Sequence, residues 1–184
     1  MKRNTAISYL FFIAIITAVS GVIYVSVQQV YRTGADDPQL QIANEINLKL
    51  RDGKSVDNFF SDTIDISQSL SPFVSLYDEA GQPLRSSGFL NGKPPVLPEG
   101  VFDFTKTHGE HRVTWQPADG VRMAMVLLSS NSSPIRFIAA GRSLTEVEAR
   151  EHDLITIIFF GWILCVGLVL LHAVLNFYNR NKNL

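Results

Sequence analysis

Apolar and polar residues follow three different rhythms along this chain. Two stretches are apolar without interruption: Ile7–Val27 carries no charge, and Leu154–Phe177 carries none apart from any on His172. Each matches the ~20 residues that cross a bilayer core of about 30 Å, and a backbone in lipid must satisfy its own hydrogen bonds, so both are predicted helices. Between them a helical rhythm runs through Leu40, Ala43, Ile46 (or Asn47) and Leu50, ending at Asp52-Gly53. Gly34–Pro38 is expected to break the chain away from the first span, with Asp36 or Asp37 as cap and Pro38 in the new first turn. Val56–Phe60 predicts a short helix or turn.

A period of two then takes over. Phe73–Tyr77 predicts a strand, Asp78–Gly81 a tight turn with Gly81 at positive φ, and Leu84–Ser87 the returning strand. Asn91–Gly100, rich in Pro and Gly, is loop, and Val101–Thr107 a short helix. His111–Gln116 and Val121–Ser129 form a second hairpin about Asp119-Gly120. After a turn at Asn131–Pro134, Ile135–Ala140 is the last strand. Thr145–Asp153 is a charged helix running into the second span, supported by Glu146 and Arg150 at i,i+4. The order predicts an α+β fold, a five-stranded antiparallel sheet with flanking helices inserted between two transmembrane helices. The divisions are a tail at 1–6, a span at 7–30, a domain at 31–153, a span at 154–177 and a tail at 178–184.

Charge orients this arrangement. Every Asp and Glu lies between Asp36 and Asp153, whereas the ends carry only Lys2, Arg3, Arg180 and Lys182. Short cationic flanks place both termini in the cytoplasm and the central domain outside it, as in a two-pass protein of a bacterial inner membrane. The first span competes with a cleaved signal peptide, for which Lys2-Arg3 and Ala18-Val19-Ser20 are suitable. Its apolar run is long for that, and Tyr24 and Tyr31 suit an interfacial belt. No extended basic stretch suggests nucleic acid. Cys165, the one cysteine, excludes an intramolecular disulfide.

Two segments carry a resemblance. Phe73–Gly88, with Tyr77-Asp78-Glu79-Ala80-Gly81-Gln82-Pro83-Leu84 at its centre, is similar to the opening hairpin of PAS-like sensor domains. Ile138–Glu148, through Gly141-Arg142-Ser143-Leu144-Thr145-Glu146, resembles the final strand and exit helix of the extracytoplasmic PAS-like or Cache-like sensor region of bacterial sensor histidine kinases. The resemblance implies a sensory fold. In that family the second span feeds a phosphoacceptor helix and an ATP-binding domain; here the sequence ends at Leu184, so the expectation is a sensor without its transmitter.

The chemistry is sparse. There is no Gly-x-Ser-x-Gly elbow, phosphate loop or dinucleotide fingerprint, and no enzyme or cofactor is expected. His108 and His111 flank a glycine, which does not make a rigid metal pair, and no metal is expected. For a small-molecule ligand the candidates are Tyr77 and Trp115 as aromatic walls and Arg122 and Arg142 as cationic anchors. The plainer readings are that Tyr77 and Trp115 are core, Arg122 is a surface charge, and Arg142 pairs with Glu146. In the spans, Ala14, Thr17, Ala18 and Gly21 make one small-residue face and Gly161 and Cys165 another, which can pack within the chain or across a homodimer. A face through Leu144, Val147, Glu151, Leu154, Ile158, Gly161, Cys165, Leu168, His172 and Leu175 alternates by three and four, one continuous helix face from the domain to the cytoplasm. His172 is either functional or reaches membrane lipid headgroups.

Two functions remain. One is a sensory, ligand-binding module signalling through a separate membrane protein. The other is an envelope structural or assembly protein that uses the domain as a docking surface, with Phe89 and Leu90 as apolar anchors.

Overall fold

The structure, a computed structural model, describes residues 2–182. The chain divides into two compact units, one of Met1–Tyr31 with Ala149–Leu184 and one of Arg32–Glu148. It is α+β, with a five-stranded antiparallel sheet and flanking helices. Two of its helices are long and apolar enough to cross a membrane, and neither apolar stretch is buried inside the protein.

The second unit is a layered domain. Its main sheet runs β3-β2-β7-β6-β5, where β2 is Phe73–Tyr77, β3 Pro83–Ser86, β5 Glu110–Ala118, β6 Val121–Ser129 and β7 Phe137–Ser143. The predicted strands are present, with β5 extended to Ala118 and β7 set two residues later than expected. The turn after β2 forms as read: Gly81 has φ +73°, and Asp78 Oδ1 accepts from the Ala80 and Gln82 amides at 2.9 and 2.8 Å. Two strands escaped the periodicity, β1 (Ile64–Asp65) and β4 (Gly88–Phe89), which pair in parallel. Two residues are too few to show any period.

Side-chain alternation splits the core into two layers. On one sheet face Val74, Leu76, Val126, Leu128, Ile138 and Ala140 pack against Ala43 and Ile46 of helix α1 (Lys2–Arg51) and Phe60 of a short 3-10 turn. On the other, Phe73, Tyr77, Met123, Met125, Leu127 and Phe137 pack beneath Phe102 of helix α2 (Glu99–His108), Leu97 and Ile66. Phe73 sits opposite Gly141 in β7. A Cβ on Gly141 would lie 2.6 Å from its ring, and one on Gly88 equally close.

The break expected at Gly34–Pro38 is absent: α1 runs Lys2–Arg51 with Pro38 inside it. Proline removes a helical donor and crowds the carbonyl four residues back. Beside it the fully buried Gln39, its amide turned to suit its surroundings, donates to the carbonyls of Ala35 (2.7 Å) and Asp36 (3.3 Å), tying its side chain to this turn. The helix stops where expected, with Gly53 at φ +65° and the Lys54 amide donating to the Lys49 carbonyl at 2.8 Å, a glycine-terminated end. Helix α3, Thr145–Lys182, runs from the end of the sheet through the second apolar stretch as one element.

Candidate functional site

The four candidate ligand residues lie on opposite faces of the sheet. Tyr77 and Trp115 belong to the α2 face. Tyr77 is fully buried, its hydroxyl donating to the Pro95 carbonyl at 2.9 Å and its ring meeting Phe102 edge-on at 5.1 Å. Burial pushes its hydroxyl pKa far up, so it stays neutral. Trp115 is half-buried and lines a groove of about 530 Å³ with the Pro94–Pro98 segment.

Arg122 and Arg142 lie on the α1 face. The reason is a β-bulge. The hairpin starts with Ala118 opposite Val121, which continued regularly would set Trp115 opposite Ala124, on the same face as Arg122. The register instead shifts between Trp115 and Ala118, placing Trp115 opposite Met123. One inserted residue turns a side chain to the other face, and Pro117, with no N–H to donate, stands at that point.

The two arginines share another task. Arg122 pairs with Glu148, and Arg142 pairs with Glu146 at 2.6 Å while also donating to the Leu70 carbonyl at 3.1 Å. Both glutamates stand in the first turn of α3, where negative charge also suits the helix dipole. The backbone joins in: the Leu144 amide donates to the Arg122 carbonyl and the Glu148 amide to the Leu144 carbonyl, each at 2.8 Å. Neighbouring strands β6 and β7 thus clasp the root of α3. Each ion pair is about half exposed, so each is worth about 0.2–1 kcal/mol. The pairing of Arg142 with Glu146 was legible in the sequence; that of Arg122 with Glu148, 26 residues apart, was not.

In the other unit, α1 and α3 meet through long side chains. Asn176 donates to the Tyr9 hydroxyl at 2.9 Å and lies 3.0 Å from His172 Nε2, the His172 ring sits edge-on to Tyr9, Trp162 Nε1 donates to Thr17 at 2.9 Å, and Gln28 bonds Glu151. The half-buried positions of this unit include Tyr9, Ile13, Ile16, Ser20, Tyr24, Val27 and Gln28 on α1, and Glu151, Leu154, Ile158, Trp162, Val166, Val169 and Ala173 on α3. The expected packing residues Ala14, Ala18, Gly21, Gly161 and Cys165 are all exposed, and a Cβ on Gly21 or Gly161 would meet nothing within 4 Å. Gly161 and Cys165 edge a crevice of about 360 Å³ beside Trp162.

His108 and His111 both pack on Phe104, with centroids 4.0 and 4.2 Å apart. Phe89 and Leu90 are half-buried rather than free anchors; Phe89 is paired with Asp65 in β4, and Leu90 packs on the core. Among the described residues, no group of three or more His, Cys, Asp or Glu is placed to hold a metal ion. No family model, curated protein or solved structure matches this chain.

Proposed function

We propose that this chain is a membrane-anchored sensory module. Its PAS-like domain lies outside the cytoplasm, both termini lie inside, and its state is read by a separate membrane protein through the second span. The observation that carries this is the clasp at the root of α3. Two neighbouring strands hold the first turn of a helix that runs on through the apolar stretch to Lys182. The clasp is weak by construction. Two pairs of about 0.2–1 kcal/mol each are easily outbid by a small change in the sheet, which is what a two-state element needs. The PAS-like reading draws further support from the sheet, because the two segments that carry the resemblance lie side by side as β2 and β7.

Sidedness is tested with single cysteines in a Cys165→Ser background. A membrane-impermeant maleimide added to intact cells should label Asp119→Cys and leave Asn181→Cys unlabelled; the reverse pattern refutes the orientation. The function is tested by crosslinking in intact membranes, mild-detergent purification and mass spectrometry. A signalling enzyme or chemoreceptor should be recovered, and its output should change when Arg122 and Arg142 are both replaced by Ala. Recovery of envelope-assembly or transport proteins alone would overturn the sensory reading.

A further inference from the structure

The two edges of the main sheet differ. β3 is four residues long and opens on Pro83, whereas β5 has nine residues and, among the described residues, pairs with β6 alone. Along its outer side runs a row of backbone N–H and C=O groups without a ladder partner, the arrangement to which another extended chain adds. Its charges cluster at the start, where Glu110 and Arg112 pair with each other at 2.7 Å, and Val113–Gln116 carries none.

Beside the uncharged stretch lies the groove of about 530 Å³, walled by Trp115, Gln116 and Pro117 on the strand side and by Leu90 and the Pro94–Pro98 segment on the other. Among the described residues, no charged side chain lines it. Its far wall is held in place: Leu97 is buried in the core, Pro95 accepts the Tyr77 hydroxyl, and three prolines fix φ there. A preformed wall lowers the ordering cost of binding.

We infer that the β5 edge and the groove beside Trp115 together dock an extended, uncharged segment of a partner protein. That segment adds to the sheet as a sixth strand and places one bulky apolar side chain in the groove. The unpaired ladder demands an extended backbone, and the uncharged walls demand an apolar side chain. Main-chain bonds then supply affinity and the pocket selectivity. A partner fits better than a second copy, because a twofold β5–β5 pairing meets the missing donor of Pro117 twice and a foreign strand meets it once. This surface is independent of the sensory reading and of the α3 clasp, which lies on the opposite face.

The test uses the full chain in maltoside micelles with ten-residue peptides of alternating Thr and Val. The central residue is Leu, Phe, Trp or Asp. The apolar-centred peptides should bind and slow amide exchange in Glu110–Ala118, and the Asp-centred peptide should bind at least tenfold more weakly. Trp115→Ala should weaken the apolar-centred peptides at least tenfold while amide exchange in β7 stays unchanged, which shows that the sheet remains intact. The inference is overturned if no apolar-centred peptide binds at millimolar concentration, or if binding leaves β5 exchange unaltered. It is also overturned if β5 is protected without peptide in proportion to protein concentration, the mark of a second copy.

Discussion

Phe73 is confined between two glycines, and the sign of one substitution tests whether that confinement is real. Gly141→Ala introduces a Cβ 2.6 and 2.7 Å from the Phe73 ring and 3.2 Å from Met125. Carbon atoms rest at about 3.5–4.0 Å, so the ring must retreat by roughly an ångström. Retreat is blocked, because the sheet order puts β3 on the other side of β2 and Gly88, just beyond β3, already lies against the same ring. Overpacking of this kind costs about 1–3 kcal/mol. In an open strand position the same change would instead stabilise by about 0.5–1 kcal/mol, through the chain entropy that glycine loses. Native-state hydrogen exchange of the β2 and β7 amides, on the full chain in mild detergent, reads the difference. Protection should fall about fivefold or more, and Phe73→Leu in the same chain should recover at least about 0.5 kcal/mol relative to additivity. A neutral or stabilising Gly141→Ala, or strictly additive effects, would refute the packing argument.

Other perturbations probe the remaining elements. Gln39→Leu strips two helix carbonyls of their buried donor beside Pro38 and should cost about 1–3 kcal/mol in denaturant unfolding. Thr17→Val removes the bond to Trp162, worth about 0.6 kcal/mol on average between membrane helices. In a Trp115→Phe background it should shift the Trp162 emission, whereas Ala14→Leu and Ala18→Leu should not. Acid should destabilise the domain, since Asp57, Asp65 and Glu79 are held below the ordinary carboxylate range by hydrogen bonds to Arg85, Ser67 and Lys106 respectively. Their stabilisation is present above the unfolded carboxylate pKa and lost as pH falls through the lower folded values. Asp36 runs the other way. Burial raises its pKa, so Asp36→Asn should stabilise at neutral pH, and the gain should shrink as pH falls through the folded pKa and vanish below the lower unfolded value. A pH series of unfolding midpoints checks both signs.

The legible part of this fold was the part set by local chemistry. The Asp78–Gly81 turn, the Asp119-Gly120 hairpin, the strand at Val121–Ser129 and the Gly53 helix end each follow from a few neighbouring residues whose backbone preferences have no competitor. What failed depended on partners distant in sequence. Pro38 reads as a helix break because its donor is missing, yet the helix continues through it, with the buried Gln39 amide bonded to the carbonyls of the same turn. The ligand candidates are divided between the two sheet faces for a subtler reason. Alternation assigns faces correctly in β5 up to Trp115 and within β6, but combining the two requires the register, and the register changes by one residue between Trp115 and Ala118. The proline was visible in the sequence. That it marks a bulge, and so sends Trp115 away from Arg122, is settled only by the pairing of the two strands.

The same kind of error, one residue accumulated over distance, explains the spans. A three-and-four alternation through Glu151, Leu154 and Ile158 matches the N-terminal part of the apolar stretch of α3, where these residues are half-buried. Continued on a strict seven-residue repeat it selects Gly161, Cys165, Leu168 and His172. An α-helix of 3.6 residues per turn drifts ~20° per heptad away from that repeat, and the half-buried line passes instead through Trp162, Val166, Val169 and Ala173. Only a supercoiled pair would keep the heptad face inward. Here Gly21 and Gly161 have nothing within reach of an added Cβ, and Trp162 is bonded to Thr17 across the pair. A bulky residue at the midpoint and exposed small residues on the outer faces are therefore two consequences of one geometry. Exchanging them by Trp162→Gly together with Gly161→Trp should weaken the α1–α3 pair at this level without undoing it, because the Thr17 bond would lose its donor and the new indole would point away while the Asn176–Tyr9 and Gln28–Glu151 bonds remain; in a Trp115→Phe background the indole emission should shift to that of an exposed residue.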